Sequence, residues 1–195
     1  MRDTAPAVPS HTFFMPLIIG ALQKTEDLVT NICQELEARY PRLLKHAIVA
    51  GIHIPEPLRW IDRRYMGNRL GAYAMCLNHW LPFLPVPVVL INSEWLGEDA
   101  NLKDRYAYDV TDNYHPECGC PIKYIIWHEI AHFIYVNMRP DERGNWKQIF
   151  EHQNPTGYST NPEESYCEAF SGHMAGLTGK YYDDAPRFAA LYSNI

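Results

Sequence analysis

No run of basic residues occurs in this 195-residue chain, and its formal net charge is −6. A general nucleic-acid binder needs a positive surface to neutralise phosphates, so that class is set aside. Long apolar runs are also missing. The longest candidate near the start, Phe13 to Leu22, is broken by Pro16 and has no basic segment before it. It is too short to span a bilayer and makes a poor signal peptide, so a cytoplasmic protein without membrane contact is expected. Internal repeats and low-complexity tracts are absent, which argues against a solenoid. Cysteine is sparse and odd in number: Cys33, Cys76, Cys118, Cys120 and Cys167. No disulfide framework follows from that set, and a reducing compartment is favoured. Cys118 and Cys120 flank one glycine, a spacing that fits a second metal site or a strained redox pair, but more commonly a tight turn.

Hydrophobic residues make up 47% of the chain, enough for a sizeable core. The length predicts one domain over residues 13–195, preceded by a Pro- and Ala-rich flexible arm at 1–12. Chemistry concentrates between Tyr124 and Val136, an apolar helical run whose one charged residue is Glu129. It holds His128, Glu129 and His132, the pattern His-Glu-x-x-His. Residues four apart share a helix face, so both imidazoles can reach one cation. Glu129 lies about 100° round the helix, placed to address a water rather than the ion. Zinc suits the arrangement, since it accepts imidazole and carboxylate and can keep one position open. It would draw the pKa of a water toward neutrality, and Glu129 would take the proton as general base. The bland alternative is a buried amphipathic helix whose histidines merely hydrogen-bond their neighbours.

Around this stretch the pattern reads as follows. Thr25 to Tyr40 predicts a helix capped by Thr25, with Leu28, Ile32, Leu36 and Tyr40 as its buried stripe and Pro41 as its stop. His46 to Ile54, Leu70 to Leu77 and Pro85 to Trp95 predict strands, with His46 and His53 as ordinary strand residues. Leu58 to Asn68 predicts a short helix or turn. Gly97 to Gly119, polar and rich in Asp and Tyr, predicts a long connection leading into the site. Pro121 to Met138 predicts the site helix, Arg143 to His152 a short helix, and 154–160 a turn-rich loop. A last clear helix opens at Asn161 as N-cap with Pro162, Glu163 and Glu164 in its first turn and runs to about Leu177. A short terminal helix follows from Asp184.

A catalytic zinc needs a third protein ligand. A histidine six residues after His132, the metzincin arrangement, is excluded because Met138 stands there and Tyr135 replaces the required glycine. His152 is a second option. A SprT-like protease takes its third ligand from this region, although Arg143 occupies the position of the matching histidine. The third option is a glutamate of the Asn161 helix. Glu164 and Glu168 are four apart on one face that continues through the small residues Cys167, Ser171 and Ala175, and small residues let two helices approach closely. Glu164 would then bind the ion, and Glu168 would orient His128 or His132 through the other ring nitrogen. Glu163 is an alternative with the phase shifted by one, and Glu164 could instead close a capping box.

His128-Glu-Ile-Ala-His132 followed by Glu164-Ser-Tyr-Cys-Glu168 resembles the gluzincin zinc metallopeptidases. With Tyr158 ahead of the acidic helix start and Phe170 after it, the segment looks most like the lethal-factor-like peptidases. Cys167 and Ser171 depart from that pattern, where alanines are common. The resemblance spans about residues 70–175. It implies a compact α+β, zincin-like fold, with a small twisted mixed sheet packed on the site helix and the glutamate helix. It also implies that a protein or peptide substrate adds as a strand to the sheet edge, from Leu70 to Leu77 or Val86 to Asn92, and that Tyr158 stabilises the oxyanion. The expected function is zinc-dependent hydrolysis of a peptide bond, with one zinc ion on His128, His132 and Glu164, Glu129 as base and Tyr158 as electrophilic helper. The rivals are a SprT-like protease using His152, a toxin or self-processing protease of identical chemistry, and a zinc-stabilised binding protein without turnover.

Overall fold

The computed structural model describes residues 23–41, 48–50, 74–77, 88–91, 99–153 and 156–192. In chain order these form α1 (Gln23–Arg39), β1 (Ile48–Ala50), β2 (Ala74–Leu77), β3 (Val88–Ile91), α2 (Asp99–Thr111), α3 (Pro121–Asn137), α4 (Pro140–His152), α5 (Pro162–Met174) and α6 (Lys180–Asp184), with a 3-10 helix at Ala185–Tyr192. The expected arm at 1–12, the segment Leu58 to Asn68, His46 and His53 all lie outside the described residues.

This part of the molecule is mainly α, which corrects the expected α+β, zincin-like architecture built on a sheet. The stretch expected as a long polar connection accounts for part of the difference, since it contains α2. Its apolar stripe is thin: Leu102 and Tyr106 are buried and Val110 half-buried, while most of its other residues face water. Such a helix looks like a loop by composition, because only its spacing of four betrays it.

The three short strands pair in the order β1-β3-β2, with β3 parallel to β1 and antiparallel to β2. Cys76 pairs with Val89, and Leu77 with Val88. Among the described residues β2 is therefore an edge and β3 is not.

Helix α3 lies at the centre. Ten of its residues are buried, from Ile122 to Ile134, on more than one side. Pro121 starts it where an N–H would have no partner anyway, and the extended backbone of Met138 ends it. Pro140 then opens α4 three residues earlier than its apolar pattern suggested, and Glu142 accepts from the backbone N–H of Arg139 at 2.9 Å. Helix α1 begins at Gln23, so Thr25 sits inside it rather than capping it. Its stripe Ile32, Leu36 and Tyr40 is buried, and Lys123 of α3 reaches across to Glu35 at 2.6 Å.

Helix α5 packs along α3. The Asn161 side chain caps it, accepting from the N–H groups of Glu163 (2.9 Å) and Glu164 (3.1 Å). It ends at Met174 rather than near Leu177, because Gly176 adopts a positive φ of 86° and Leu177 N–H returns to the Gly172 carbonyl. Gly172 is also required sterically: a Cβ there would lie 2.5 Å from the Tyr182 ring. On the side away from the histidines, Tyr166 and Phe170 pack with Trp146 of α4, Phe188 of the 3-10 helix and Tyr40 beside α1.

Candidate metal centre

His128 and His132 leave α3 on one face, with ring centroids 5.2 Å apart. Glu164 enters from the first turn of α5. Its Oε2 lies 3.1 Å from His128 Nε2 and 3.6 Å from His132 Nε2. The Asn161 side chain already serves the helix end, so Glu164 is turned to the histidines rather than spent on a capping box. A tetrahedral ion with bonds of about 2.0–2.1 Å separates its ligand atoms by about 3.3–3.4 Å. The two measured spacings bracket that edge.

The remaining ring nitrogens also meet carboxylates. His132 Nδ1–H donates to Glu163 Oε1 at 2.9 Å. His128 Nδ1 lies 3.2 Å from Glu168 Oε1, an ion-pair distance without good hydrogen-bond alignment. Carboxylates accept only, so the His132 contact places its proton on Nδ1 and turns Nε2 toward Glu164.

Glu168 is fully buried. Its Oε1 also faces His115 Nδ1 at 3.3 Å, and its Oε2 accepts from Thr156 Oγ1 at 3.0 Å. Burial alone would push this carboxyl up, but His115 and His128 beside it outweigh burial and hold it at about 2. His128 shows the reverse balance. Burial pulls it down, while Glu164 and Glu168 raise it to about 10. An imidazolium between two acids is what this arrangement holds when a proton takes the place of a cation. Glu164 is lowered, because His128 overcomes its burial.

Glu129, next along α3, is buried, and desolvation raises it despite the charges of His132 and His128. Its carboxylate accepts from the backbone N–H of Cys76 on β2. Tyr158 lies with its ring 5.2 Å from that of His128, and burial pushes its phenol up. The loop bearing it is tied to the loop after α2: Gly157 N–H donates to Asn113 O at 2.7 Å and Tyr158 N–H to Tyr114 O at 3.2 Å. The same tie brings in His115, whose ring stacks on Tyr106.

His152 stands apart. It is exposed, and its Nδ1–H donates to the Gln148 carbonyl of its own helix at 2.7 Å. Cys118 and Cys120 are free thiols, and Cys118 donates to the Tyr106 hydroxyl at 3.4 Å.

Three participants were not anticipated from sequence in these positions: His115 and Thr156 on Glu168, and Cys167. The sulfur of Cys167 lies within 4.8 Å of ligand nitrogens of His128 and His132, and this buried group can hold a metal ion. Its place three residues after Glu164 was the available signal, since i and i+3 share a face. Burial, with Glu164 and Glu163 nearby, pushes the Cys167 thiol well above its ordinary value. A bound cation reverses that preference.

No helix among the described residues is long and apolar enough to cross a membrane. Comparison with known protein families, with curated proteins and with solved structures finds no match to this chain.

Proposed function

We propose that the protein is a zinc-dependent peptidase with a gluzincin-like site. The observation that carries this reading is the meeting of His128 Nε2, His132 Nε2 and Glu164 Oε2 at 3.1 and 3.6 Å, with each Nδ1 facing a separate carboxylate. Imidazole and carboxylate donors suit zinc. When bound, zinc polarises a carbonyl and makes water acidic enough to be deprotonated near neutral pH. His128, His132 and Glu164 would hold it, while Glu163 and Glu168 fix the two rings.

Glu129 takes the proton of the attacking water and later returns it to the leaving amine. Burial supports that role, because a raised carboxyl takes up a proton more readily near neutrality. Tyr158, beside His128, donates to the oxygen that gains charge as the carbonyl is attacked. A protein or peptide substrate fits the edge of β2, whose Cys76 backbone reaches Glu129. Five free cysteines fit a reducing, cytoplasmic setting. The SprT-like alternative finds no support in His152, which is turned to its own helix.

The test is Glu129→Gln, measured by zinc content, Tm and cleavage of a peptide library. The expected result is unchanged zinc, a nearly unchanged Tm and no cleavage, against clear cleavage by wild type. Zinc-loaded wild type as inert as the variant would favour the zinc-stabilised binding protein. A wild type that binds no zinc would end both readings.

A further inference from the structure

Four protein donors close a tetrahedral zinc site, whereas three leave room for water. His128, His132 and Glu164 make three, so the next donor decides the character of the site. Glu168 is poorly placed for that role, because both its oxygens are engaged by His115, Thr156 and the Nδ1 side of His128. The Ser171 hydroxyl is directed to the backbone, donating to Cys167 O at 2.7 Å. The Cys167 sulfur is different: it is buried, on the α5 face that carries Glu164, and within 4.8 Å of one ring nitrogen of each histidine.

We propose that Cys167 is a protein ligand of the ion beside His128 and His132, the three residues whose donor atoms lie within 4.8 Å of one another, so that a thiolate joins the two imidazoles in the donor set. This rests on the metal-site reading above and not on turnover: a thiolate in the last position closes the ion to water, so the hydrolysis proposed above requires Cys167 to be displaced first. The chemistry balances without a redox partner: the S–H bond breaks, its proton leaves to solvent, and the sulfur lone pair forms the bond to the ion. A thiolate also makes the donor set softer, favouring zinc, cobalt or cadmium over magnesium or manganese.

The test is the absorption spectrum of the full chain loaded with cobalt(II), for wild type, Cys167→Ser and Cys167→Ala. Far-ultraviolet circular dichroism confirms that each variant is folded, and two replacements of different size guard against loss of one to misfolding. The expected wild-type spectrum has visible d–d bands together with near-ultraviolet sulfur-to-cobalt charge transfer. Both variants should keep the d–d bands and lose the charge transfer. Wild-type d–d bands without charge transfer would overturn the thiolate ligand and leave the metal site standing. Charge transfer that survives in both variants would assign the sulfur to another cysteine and overturn the proposal equally. Absence of any cobalt band would remove the metal site itself, and this inference with it.

Discussion

Helix α5 has two buried sides, one polar and one aromatic. Toward α3 it presents Glu164, Cys167, Glu168 and Ser171; away from the histidines it presents Tyr166 and Phe170. The aromatic side rests on area, since each such ring removes about 150–250 Å² from water. The polar side rests on pairing. Removing charges from water is costly, and their mutual attraction in the interior often does little more than offset that cost. Stability should therefore come mainly from the aromatic side, and metal affinity from the polar side.

The largest separation between the two should come from Trp146, which is fully buried against Tyr166, Tyr181 and Phe188. Trp146→Ala is expected to cost about 3–5 kcal/mol in chemical denaturation. The zinc bound per folded molecule should not change, because none of the groups converging on the site is touched. A loss of zinc affinity in the folded fraction would show that the two sides of α5 are coupled.

Glu168→Ala probes the other side. It leaves the buried His115 and His128 rings facing a void where a carboxylate stood. Breaking a buried pair on one side costs about 3–5 kcal/mol at most, and losing the partner of a ligating histidine lowers metal affinity by about 10–100-fold. Calorimetry should find both effects together, in contrast to Trp146→Ala. Stability loss without an affinity change would make Glu168 purely structural.

Legibility in sequence followed the same division. The His-Glu-x-x-His spacing and the Asn161 cap were readable because they depend on neighbours within four residues, and helical geometry converts such spacing directly into direction. The separation of Glu164 and Glu168 by one turn was readable for the same reason. What was not readable depends on distant segments meeting. His115 lies 53 residues before Glu168, and only the pairing of the loops at Asn113 and Gly157 brings it there. Helix α2 was hidden by its own exposure, since three stripe positions in a polar background carry little signal. Cys167 is legible as a small residue on the right face, but its sulfur chemistry emerges only once α3 and α5 are packed together.

A smaller effect should appear in the pH dependence of the metal-free protein. Glu168 is lowered from 4.5 to about 2, so its contribution is complete above about 4.5 and is lost as pH falls toward 2. His128 is raised from 6.5 to about 10, so its contribution is complete below about 6.5 and is lost as pH rises toward 10. The polar side thus favours the folded state most between about pH 4.5 and 6.5. Zinc needs neutral His128, so the alkaline loss from this residue should vanish in the loaded protein. Melting curves across pH with and without a chelator check this. An alkaline limb identical in both would place the titrating group elsewhere.

The smallest effect expected is at Thr156, whose hydroxyl donates to Glu168 Oε2 and lies 2.9 Å from Ser159 Oγ. Thr156→Val keeps the shape and removes the donor. Two buried oxygens lose a partner, yet Glu168 retains its contacts with His115 and His128. A cost of about 1–2 kcal/mol is therefore expected, with metal affinity lowered by less than about tenfold. Because Oε1 and not Oε2 faces His128, the ring should keep its orientation when Thr156 is changed. A fall in affinity as deep as that of Glu168→Ala would mean that Thr156 sets the carboxylate's rotation, and that the polar side of α5 works as one unit rather than as separable pairs.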